Sequence, residues 1–443
     1  MIKTDISLPI GYTESDVKRA ISEKLPVSAD EIKEIRILKR TLQIDSAHKA
    51  EYRVSVGASF SEERECGLLK MKKKVSPFPD FSFEIPSSKM RSRPIIVGSG
   101  PAGLFAAAVL SEAGARPIVL ERGLPVEERI KKVNFFIASG IIDTECNIQF
   151  GEGGAGTYSD GKLKVGALDG EKLYILNSFV DAGADAEILY SSSAHLGTDK
   201  LSSIISNIRK RLESLGAEFI FGARLCDVKT ENGAITSAFY EKGGEKVELP
   251  CEKLILASGH SAHDVFEMLS EKGVSMQAKG FGIGVRIEHS REYINELVYG
   301  KKYDSRLESA SYHLVTHLNN GRSVYSFCMC PGGTVVAAAS EEGGVVTNGM
   351  SEHARMGENS NAAILVSVSP SDFESDSALA GLKYQRKIEE RAFLLAGGDY
   401  KAPAATLGSL LGGEKAELSR SVKATYPRGV VAAPMAAALP LEI

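Results

Sequence analysis

The feature that most constrains this chain is the glycine pattern at residues 98–103, which follows a short apolar run and precedes an alanine-rich one. Pro94 to Val97 has the β-branched composition of a strand, and Leu104 to Leu110 reads on as a helix. The spacing G-x-G-x-x-G permits a tight turn between them and lets the backbone approach a pyrophosphate, whose charge suits the free N–H groups of a helix N-terminus. The sequence therefore predicts a dinucleotide at this turn.

A second strand and an acidic residue extend the pattern. Arg116 to Leu120 is predicted as a strand that ends at Glu121, 23 residues after Gly98. An acid at an offset of roughly 20 residues accepts hydrogen bonds from a ribose 2′-OH. Arg122 is a candidate for binding a 2′-phosphate, but with Glu121 beside it we favour a free ribose and an arginine at the surface.

Composition limits the partners. The chain has 443 residues, enough for two or three domains, and its net charge of −4 gives no global electrostatic case for nucleic acid or an anionic membrane. One basic cluster is interpreted as a solvated face: Lys70, Lys72, Lys73 and Lys74. The N-terminus has no apolar leader segment, and prolines interrupt the longest apolar stretch, residues 430–441, so a cytoplasmic location is expected.

The six cysteines are scattered except for Cys328 and Cys330. A disulfide framework is not expected in such a chain, and the pair lacks the further cysteines or spaced histidine of a zinc site, so no metal is predicted. On the predicted strand "VYSFCMC" the two side chains share one face. We favour buried small side chains there, with a redox-active dithiol as the alternative.

The N-terminal residues 1–88 are predicted to form a small α+β domain, for which a ferredoxin-like fold is one option. Its strands are "TDISLPI", "EIKEIRILKRTLQI" and "EYRVSVGASF", and its helix is "TESDVKRAISEKLP". Small domains of this kind sometimes bind RNA, although this one lacks an aromatic and basic strand signature. The Pro- and Ser-rich segment "VSPFPDFSFEIPSSKMRSRP" is predicted as a linker to the nucleotide-binding domain.

A second glycine-rich loop, "NIQFGEGGAGTYSDGKL" at 147–163, implies another close backbone approach. Residues 216–259 then alternate strands and turns and end with the strand Lys253 to Ala257, which runs into Ser258 and Gly259. A simple nicotinamide dehydrogenase would continue directly as βαβαβ after the acid. The long excursion therefore favours a flavin over a nicotinamide.

The order of these segments resembles that of the glutathione-reductase-type flavoproteins, and it resembles more closely a bacterial family of uncharacterised FAD-dependent dehydrogenases. The blocks that carry the second resemblance are "GSGPAGLFAA", "QFGEGGAGTYSDGKL", "LASGHSAHDVFEML", "GFGIGVRIEH" and "YSFCMCPGGTVVAAASEEGGVVTNGMS". The resemblance implies an α/β fold: a doubly wound FAD/NAD(P)-binding (Rossmann) domain with a β-meander over residues 89–270, and an inserted mixed α+β substrate domain over residues 271–425. Residues 426–443 would return toward the first domain.

FAD is the cofactor that this resemblance implies, with NAD(P)H as a candidate electron donor. The backbone of Leu225 would contact the adenine. The predicted cofactor-binding residues are Gly98, Gly100, Pro101, Ala102, Gly103, Glu121, Arg122, Gly153, Gly154, Ala155, Gly156, Thr157, Leu225, Ser258 and Gly259.

Candidates for catalysis are few. His260, like His263, could be a proton donor that faces the flavin, although turn and cap roles are favoured for both. Arg286 could hold a substrate carboxylate, or it could form an ordinary ion pair with Glu288 or another acid. Cys328 and Cys330 are the remaining candidates.

The segment "FLLAGGDY" at 393–400 mimics a cofactor-binding Gly-Asp, but the helical spacing before it favours a helix with Gly397 and Gly398 as its C-terminal cap. Related proteins continue beyond residue 443, so the chain is expected to be shortened at its C-terminus, with weakened flavin binding.

The function expected from the sequence is hydride transfer at flavin N5 with an unidentified substrate. The alternatives are a catalytically inactive nucleotide-binding or RNA-associated module and a flavin-free NAD(P)-dependent dehydrogenase. The sequence does not indicate an oligomeric state.

Overall fold

A computed structural model of the chain describes residues 1–71, 74–79, 81–163, 169–412 and 415–440. Lys72 and Lys73 of the basic cluster and the last residues of the predicted return segment, 441–443, lie outside the described residues.

The strands are β1 (Ile2–Leu8), β2 (Glu34–Ile44), β3 (Ala50–Ser59), β4 (Ser76–Pro77), β5 (Ile95–Val97), β6 (Ile118–Glu121), β7 (Glu218–Phe221), β8 (Arg224–Glu231), β9 (Ala234–Lys242), β10 (Glu245–Pro250), β11 (Leu254–Leu256), β12 (Phe281–Ser290), β13 (Val315–His317), β14 (Ser323–Cys330), β15 (Thr334–Ala337), β16 (Thr347–Met350), β17 (Asn359–Val368), β18 (Ala402–Ala404) and β19 (Val430–Ala432). The α-helices are α1 (Glu14–Lys24), α2 (Glu62–Leu69), α3 (Pro101–Glu112), α4 (Val126–Ser139), α5 (Asp169–Asp181), α6 (Thr198–Ser214), α7 (His263–Glu271), α8 (Arg291–Tyr299), α9 (Ala380–Leu395) and α10 (Leu407–Gly412).

The chain forms two compact units, and neither is continuous in sequence. The first contains Met1–Glu84, Lys162–Leu196 and Arg291–Ala310, and the second contains Ile85–Gly161, Gly197–Ser290 and Ser311–Ile443. The predicted boundaries assigned only residues 1–88 to the N-terminal domain. The two later segments join this unit through contacts between residues far apart in sequence, which local sequence patterns do not reveal.

In the N-terminal segment of the first unit, Met1–Glu84, elements follow the order β–α–β–β–α–β, and the sheet order is β2-β3-β1-β4. This is the element order of the ferredoxin-like motif. Thr13 and Asp16 form a capping box at the start of α1, and β1 alternates buried and partly exposed residues over an apolar core. Residues of the later segment extend the edge of β2, where Arg40 N–H donates to the Tyr190 carbonyl at 2.7 Å.

The second unit is built on a parallel sheet of order β11-β5-β6-β7. The three residues of β5, Ile95–Val97, are buried, as the apolar run predicts. Parallel neighbours require a crossover connection, and α3 supplies the crossover between β5 and β6. Because β11 pairs in register with β5 and β5 with β6, the carboxyl ends of these strands meet at one edge of the sheet. That edge is where ligands bind in open α/β sheets.

Smaller sheets complete the second unit. The strands β8, β9 and β10 form the predicted antiparallel meander, and β12-β17-β14-β13 form a separate antiparallel sheet, which we call the mixed-domain sheet. β15 pairs with β16, and β18 pairs with β19 in parallel. The helix predicted before Gly397 is α9, and the N–H of Gly398 donates to the Phe393 carbonyl, which confirms that the two glycines end a helix.

No helix among these described ranges combines the length and the apolar character that crossing a bilayer requires.

Candidate functional site

A cavity of about 320 Å³ lies at the carboxyl edge of the parallel sheet in the second unit. Its walls come from the turn after β5, the end of β6, the second glycine loop, the start of β8 and the turn after β11. The residues that line it are Val97, Gly98, Gly100, Pro101, Ala102, Leu120, Glu121, Arg122, Gln149, Phe150, Gly151, Gly154, Ala155, Gly156, Ala223, Arg224, Leu225, Ala257, Ser258, Gly259, His260, Ser261, Ala262 and Val265.

The first glycine turn is shaped by close backbone approaches. Gly98 has φ of +99°, and a Cβ on it would lie 2.3 Å from the carbonyl oxygen of Ala257. A Cβ on Gly103 would lie 1.9 Å from the carbonyl oxygen of Gly98. Only glycine fits at these two positions, because any side chain would collide with the neighbouring backbone. Gly103 therefore packs helix on strand and does not line the cavity.

The N-terminus of α3 opens on the cavity. Its N-cap is Gly100, which has no side chain to accept from the first N–H groups, Pro101 follows at the first helical position, and the first turn carries no acidic residue. Helix N-terminal N–H groups without a capping side chain, together with the positive end of the helix dipole, favour an anion. Gly154 of the second loop approaches this turn, since a Cβ on it would lie 3.0 Å from Gly100 Cα.

Glu121 is buried, at 4% exposure, and both carboxylate oxygens are already engaged by protein donors. Oε2 accepts from the N–H and the hydroxyl of Ser99 at 2.8 and 2.7 Å. Oε1 accepts from the N–H groups of Gly123 and Gly151 at 2.9 and 3.0 Å. The carboxylate lines the cavity, but it also ties the two glycine loops together, a role that the sequence did not suggest.

Arg122 is not the surface arginine that the sequence predicted, because only 12% of its side chain is exposed. Its Nη1 and Nη2 donate to the two carboxylate oxygens of Asp264 at 3.2 and 2.6 Å, and its guanidinium lies 4.3 Å from the centre of the Phe150 ring. Burial opposes ionisation of Asp264, but hydrogen bonds and charge from Arg122 and Arg224 hold the pKa of its carboxyl below the usual value. A paired arginine is fixed in the cavity wall rather than free in solvent.

The second glycine loop is organised by Arg129, a fully buried residue of α4 that sequence reasoning missed. Its guanidinium donates almost entirely to backbone carbonyls of this loop, and burial lowers the pKa of the group. The acceptors are the carbonyls of Asn147, Ile148, Gly151, Glu152 and Gly154 and the hydroxyl of Thr157. No motif signals this role, because "VEERIKK" reads as an ordinary amphipathic helix start.

Most of the predicted cofactor-binding residues line the cavity. The exceptions are Gly103, Gly153 and Thr157. Gly153 and Thr157 lie behind the wall: a Cβ on Gly153 would lie 2.3 Å from Thr157 Oγ1, and Thr157 is buried against the Arg129 guanidinium. Gln149 and Phe150 lie in the second glycine loop, directly before its first glycine, and could have been predicted from that position, whereas Ala223 and Val265 carry no such signal.

His260 is the one catalytic candidate among the cavity-lining residues. Its Nδ1 lies 2.7 Å from the Ser261 hydroxyl. Although more than a third of the residue is exposed, desolvation of the ring lowers the pKa of the imidazole, and the nearby His263 adds to this shift. His263 itself is buried behind the cavity, with Nδ1 2.8 Å from a carboxylate oxygen of Glu341.

The other catalytic candidates lie on the mixed-domain sheet and do not line this cavity. Cys330 is buried, and its thiol donates to the Cys328 carbonyl at 3.3 Å. A register shift between Phe327 and Cys330 and a φ of +45° at Cys328 interrupt the regular strand. The strict alternation that placed both cysteines on one face is therefore wrong here, since a bulge resets the side-chain period.

A parallel sheet whose first strand leads through a glycine turn into an uncapped helix defines a dinucleotide-binding class of protein. Comparison with known proteins narrows the class. The profile of an FAD binding domain matches residues 92–129, and the profile described as "FAD-dependent protein, C-terminal domain-like" matches residues 280–443. An uncharacterised protein of Clostridium beijerinckii is 42% identical over 414 residues, which cover 92% of this chain and 76% of that protein. The chain belongs to this family of FAD-dependent proteins.

Similarities to solved structures are weak. Thermovibrio ammonificans THI4 has a TM-score of 0.28 and 17% identity, over 42% of this chain and 64% of that chain. The flavin-dependent brominase Bmp2 has a TM-score of 0.33 and 13% identity, over 68% and 64%. A flavoprotein/dehydrogenase of Cytophaga hutchinsonii has a TM-score of 0.30 and 11% identity, over 64% and 57%. Similarities of this size indicate no shared function, and the glutathione-reductase type stays a prediction.

Proposed function

We propose that this chain is an FAD-dependent oxidoreductase that transfers hydride between flavin N5 and an organic substrate or NAD(P)H. The observation that carries the proposal is the cavity at the carboxyl edge of the parallel sheet, where two glycine loops and the uncapped N-terminus of α3 meet. The family match independently supports FAD over a nicotinamide as the resident cofactor.

The cavity residues fit a dinucleotide. Gly98 presents backbone where a Cβ would collide with the Ala257 carbonyl, and the first N–H groups of α3 suit a pyrophosphate. The backbone of Leu225 would contact the adenine, and Ser258 and Gly259 would line the other side. A ribose hydroxyl at Glu121 would have to share an oxygen that already accepts two protein hydrogen bonds.

Bound FAD would supply the isoalloxazine ring that accepts or donates hydride, while the protein supplies position and electrostatics. The chain's own residues shape the anion site by placing Gly154 close to Gly100, and they hold Arg122 in the wall through Asp264. Desolvation lowers the pKa of the His260 imidazole and so favours the neutral ring, which can accept a proton from a substrate group that reaches the cavity.

The first test is the visible spectrum of the purified protein, with chromatography of the nucleotide that denaturation releases. We expect flavin bands near roughly 375 and 450 nm, FAD in the supernatant, and bleaching of the second band under anaerobic NADH, NADPH or substrate. A colourless protein that also fails to take up added FAD would contradict the proposal. If FAD is bound but no reductant bleaches it, FAD binding is supported and the proposed oxidoreductase activity is contradicted.

A pair of variants tests whether this cavity is the FAD site. Ala102 is exposed in the first turn of α3 and lines the cavity. Ala102→Glu places a negative charge where a pyrophosphate would lie, yet an acid in a first helical turn is favourable for the helix, so the fold should persist. We expect at least about tenfold weaker FAD binding for this variant than for the size-matched Ala102→Gln. Equal affinities would place the cofactor elsewhere.

A further inference from the structure

A second polar cluster lies in the mixed-domain sheet, centred on Arg286 of β12. The Arg286 guanidinium donates through Nη1 to the side-chain oxygen of Asn361 at 2.6 Å and to the Cys328 carbonyl at 3.5 Å. Nη2 donates to the side-chain oxygen of Asn348 at 3.3 Å. All three acceptors are neutral, so none of them balances the positive charge.

The carboxylate that the sequence offered as an ion-pair partner, Glu288, is engaged elsewhere. It accepts from the N–H of Thr425 at 3.1 Å and from the Thr425 hydroxyl, and it also accepts from Asn359 Nδ2 at 3.1 Å. Within the described ranges of the chain, no carboxylate lies within ion-pair distance of Arg286. The predicted ion pair between Arg286 and Glu288 is therefore wrong, and the guanidinium carries an unbalanced charge.

Two buried donors in this cluster have no hydrogen-bond partner in the described part of the chain: Arg286 Nε and Asn361 Nδ2. The orientation of the Asn361 amide is fixed, because its oxygen must face Arg286 Nη1. A buried donor without an acceptor costs about 1–3 kcal/mol, and native proteins rarely leave one unsatisfied. Two such donors beside an unbalanced positive charge call for an acceptor that carries negative charge.

The local backbone is arranged around this guanidinium. The bulge in β14 gives Cys328 a φ of +45° and brings its carbonyl to Arg286. The hairpin of β15 and β16 lies against the guanidinium at Gly349, where a Cβ would lie 2.5 Å from Arg286 Nη1 and 2.3 Å from Asn361 Oδ1. Bulges of this kind often re-aim groups next to functional sites.

Two titratable side chains border the cluster. The Tyr312 hydroxyl lies 2.8 Å from His289 Nε2, and His289 Nδ1 is a third buried nitrogen without a partner in the described structure. Burial raises the pKa of Tyr312, and the charge of Arg286 opposes this rise, which shows that the phenol lies within the electrostatic reach of the guanidinium. Arg286 thus belongs to a polar site that is incompletely satisfied by the protein alone.

We propose that Arg286 and Asn361 form a binding site for the carboxylate group of a small organic acid. A planar guanidinium donates well to the two oxygens of a carboxylate, and the free Nε and Nδ2 hydrogens supply the donors. The assignment of this acid as the substrate rests on the proposed oxidoreductase function, whereas binding at Arg286 does not require the flavin.

Isothermal titration of the 443-residue chain with benzoate, and with the neutral analogue benzamide, tests the site. We expect benzoate to bind and benzamide not to, and Arg286→Gln to weaken benzoate binding by at least about tenfold. The matched control is Arg322→Gln, since the Arg322 guanidinium already pairs with Asp372 at 2.6 Å and should not bind the probe. Equal binding of benzoate and benzamide, or equal loss in both variants, would refute the site. Inorganic phosphate that binds while benzoate does not would refute the carboxylate assignment.

Because Arg286→Gln could fail to fold, a measurement on the unaltered protein accompanies it. Phenylglyoxal modifies arginine side chains, and peptide mapping by mass spectrometry reports the modified position. We expect benzoate, and not benzamide, to protect Arg286 from modification. Labelling that benzoate does not slow would refute the proposal, and so would the absence of any labelling, since a substrate site must admit small molecules.

FAD content is measured on the same samples, so that failure of the proposed oxidoreductase function can be told apart from failure of the carboxylate site. A flavin-free protein that binds benzoate at Arg286 would contradict the proposed function alone. A flavin-loaded protein that shows no benzoate binding would contradict only the carboxylate site.

Discussion

Replacing Arg129 by methionine is expected to disorder the second glycine loop and to abolish FAD binding. Arg129 is fully buried, and four of its hydrogen bonds to loop carbonyls are 2.7–2.9 Å long. Methionine fills much of the same volume but donates nothing, so the carbonyls of Asn147 and Ile148 would be left buried without a donor, and those of Glu152 and Gly154 would keep only 3.3 Å bonds from Thr157. The loop would then exchange its compact form for one that reaches water.

The magnitude follows from the bonds that are lost. At about 1 kcal/mol for each hydrogen bond that is lost, four bonds cost about 4 kcal/mol. Part of this cost is offset, because the substitution also removes a charged guanidinium whose burial is unfavourable, as its lowered pKa indicates. A net loss of about 2–3 kcal/mol remains, which is a large part of the roughly 5–15 kcal/mol that stabilises a typical domain.

Hydrogen exchange measured by mass spectrometry is the direct assay, because it reports the loop separately from global unfolding. The Gly153 N–H donates to the Ser99 carbonyl at 2.9 Å and the Gly151 N–H donates to Glu121, so both amides should be protected in the unaltered protein and exposed in Arg129→Met. Lys131→Met is the control, since Lys131 is exposed on the same helix and its replacement removes the same positive charge. If Arg129→Met kept the protection of this loop and bound FAD within about twofold of the unaltered protein, the organising role of Arg129 would be refuted.

Two further predictions concern carboxylates. Glu121→Gln should destabilise the protein by roughly 2–3 kcal/mol even without FAD, because the amide NH₂ would face N–H donors that now bond to a carboxylate oxygen. Chemical denaturation of the flavin-free protein measures this loss of stability. An effect confined to FAD affinity would disprove the prediction. Burial, with the charge of Glu341 adding to it, raises the pKa of Glu389 from 4.5 to about 7. The folded state therefore holds a proton that the unfolded state releases, and stability should fall as the pH rises from about 4.5 to about 7. Thermal unfolding at several pH values should show this fall and should lose part of it in Glu389→Gln; an unchanged pH profile would contradict the assignment.

The sequence determined the elements whose signals are local. The glycine spacing between an apolar run and an alanine-rich run was enough to predict β5, the turn and α3, and the contact that requires Gly103, with the Gly98 carbonyl, lies within that unit. Helical spacing before Gly397 likewise predicted the end of α9. The family followed from long blocks of matching residues, independent of how they pack.

Only the tertiary structure decided what several side chains do. Glu121 accepts hydrogen bonds from Ser99 and from Gly151, which lie 22 and 30 residues away in opposite directions along the chain. Arg129 donates to the carbonyls of a loop that begins 18 residues after it. Arg286 donates to three neutral acceptors and not to Glu288. The physical reason is that burial and hydrogen-bond partnership depend on which distant segments fold together, whereas periodicity and turn chemistry are fixed by neighbours in sequence.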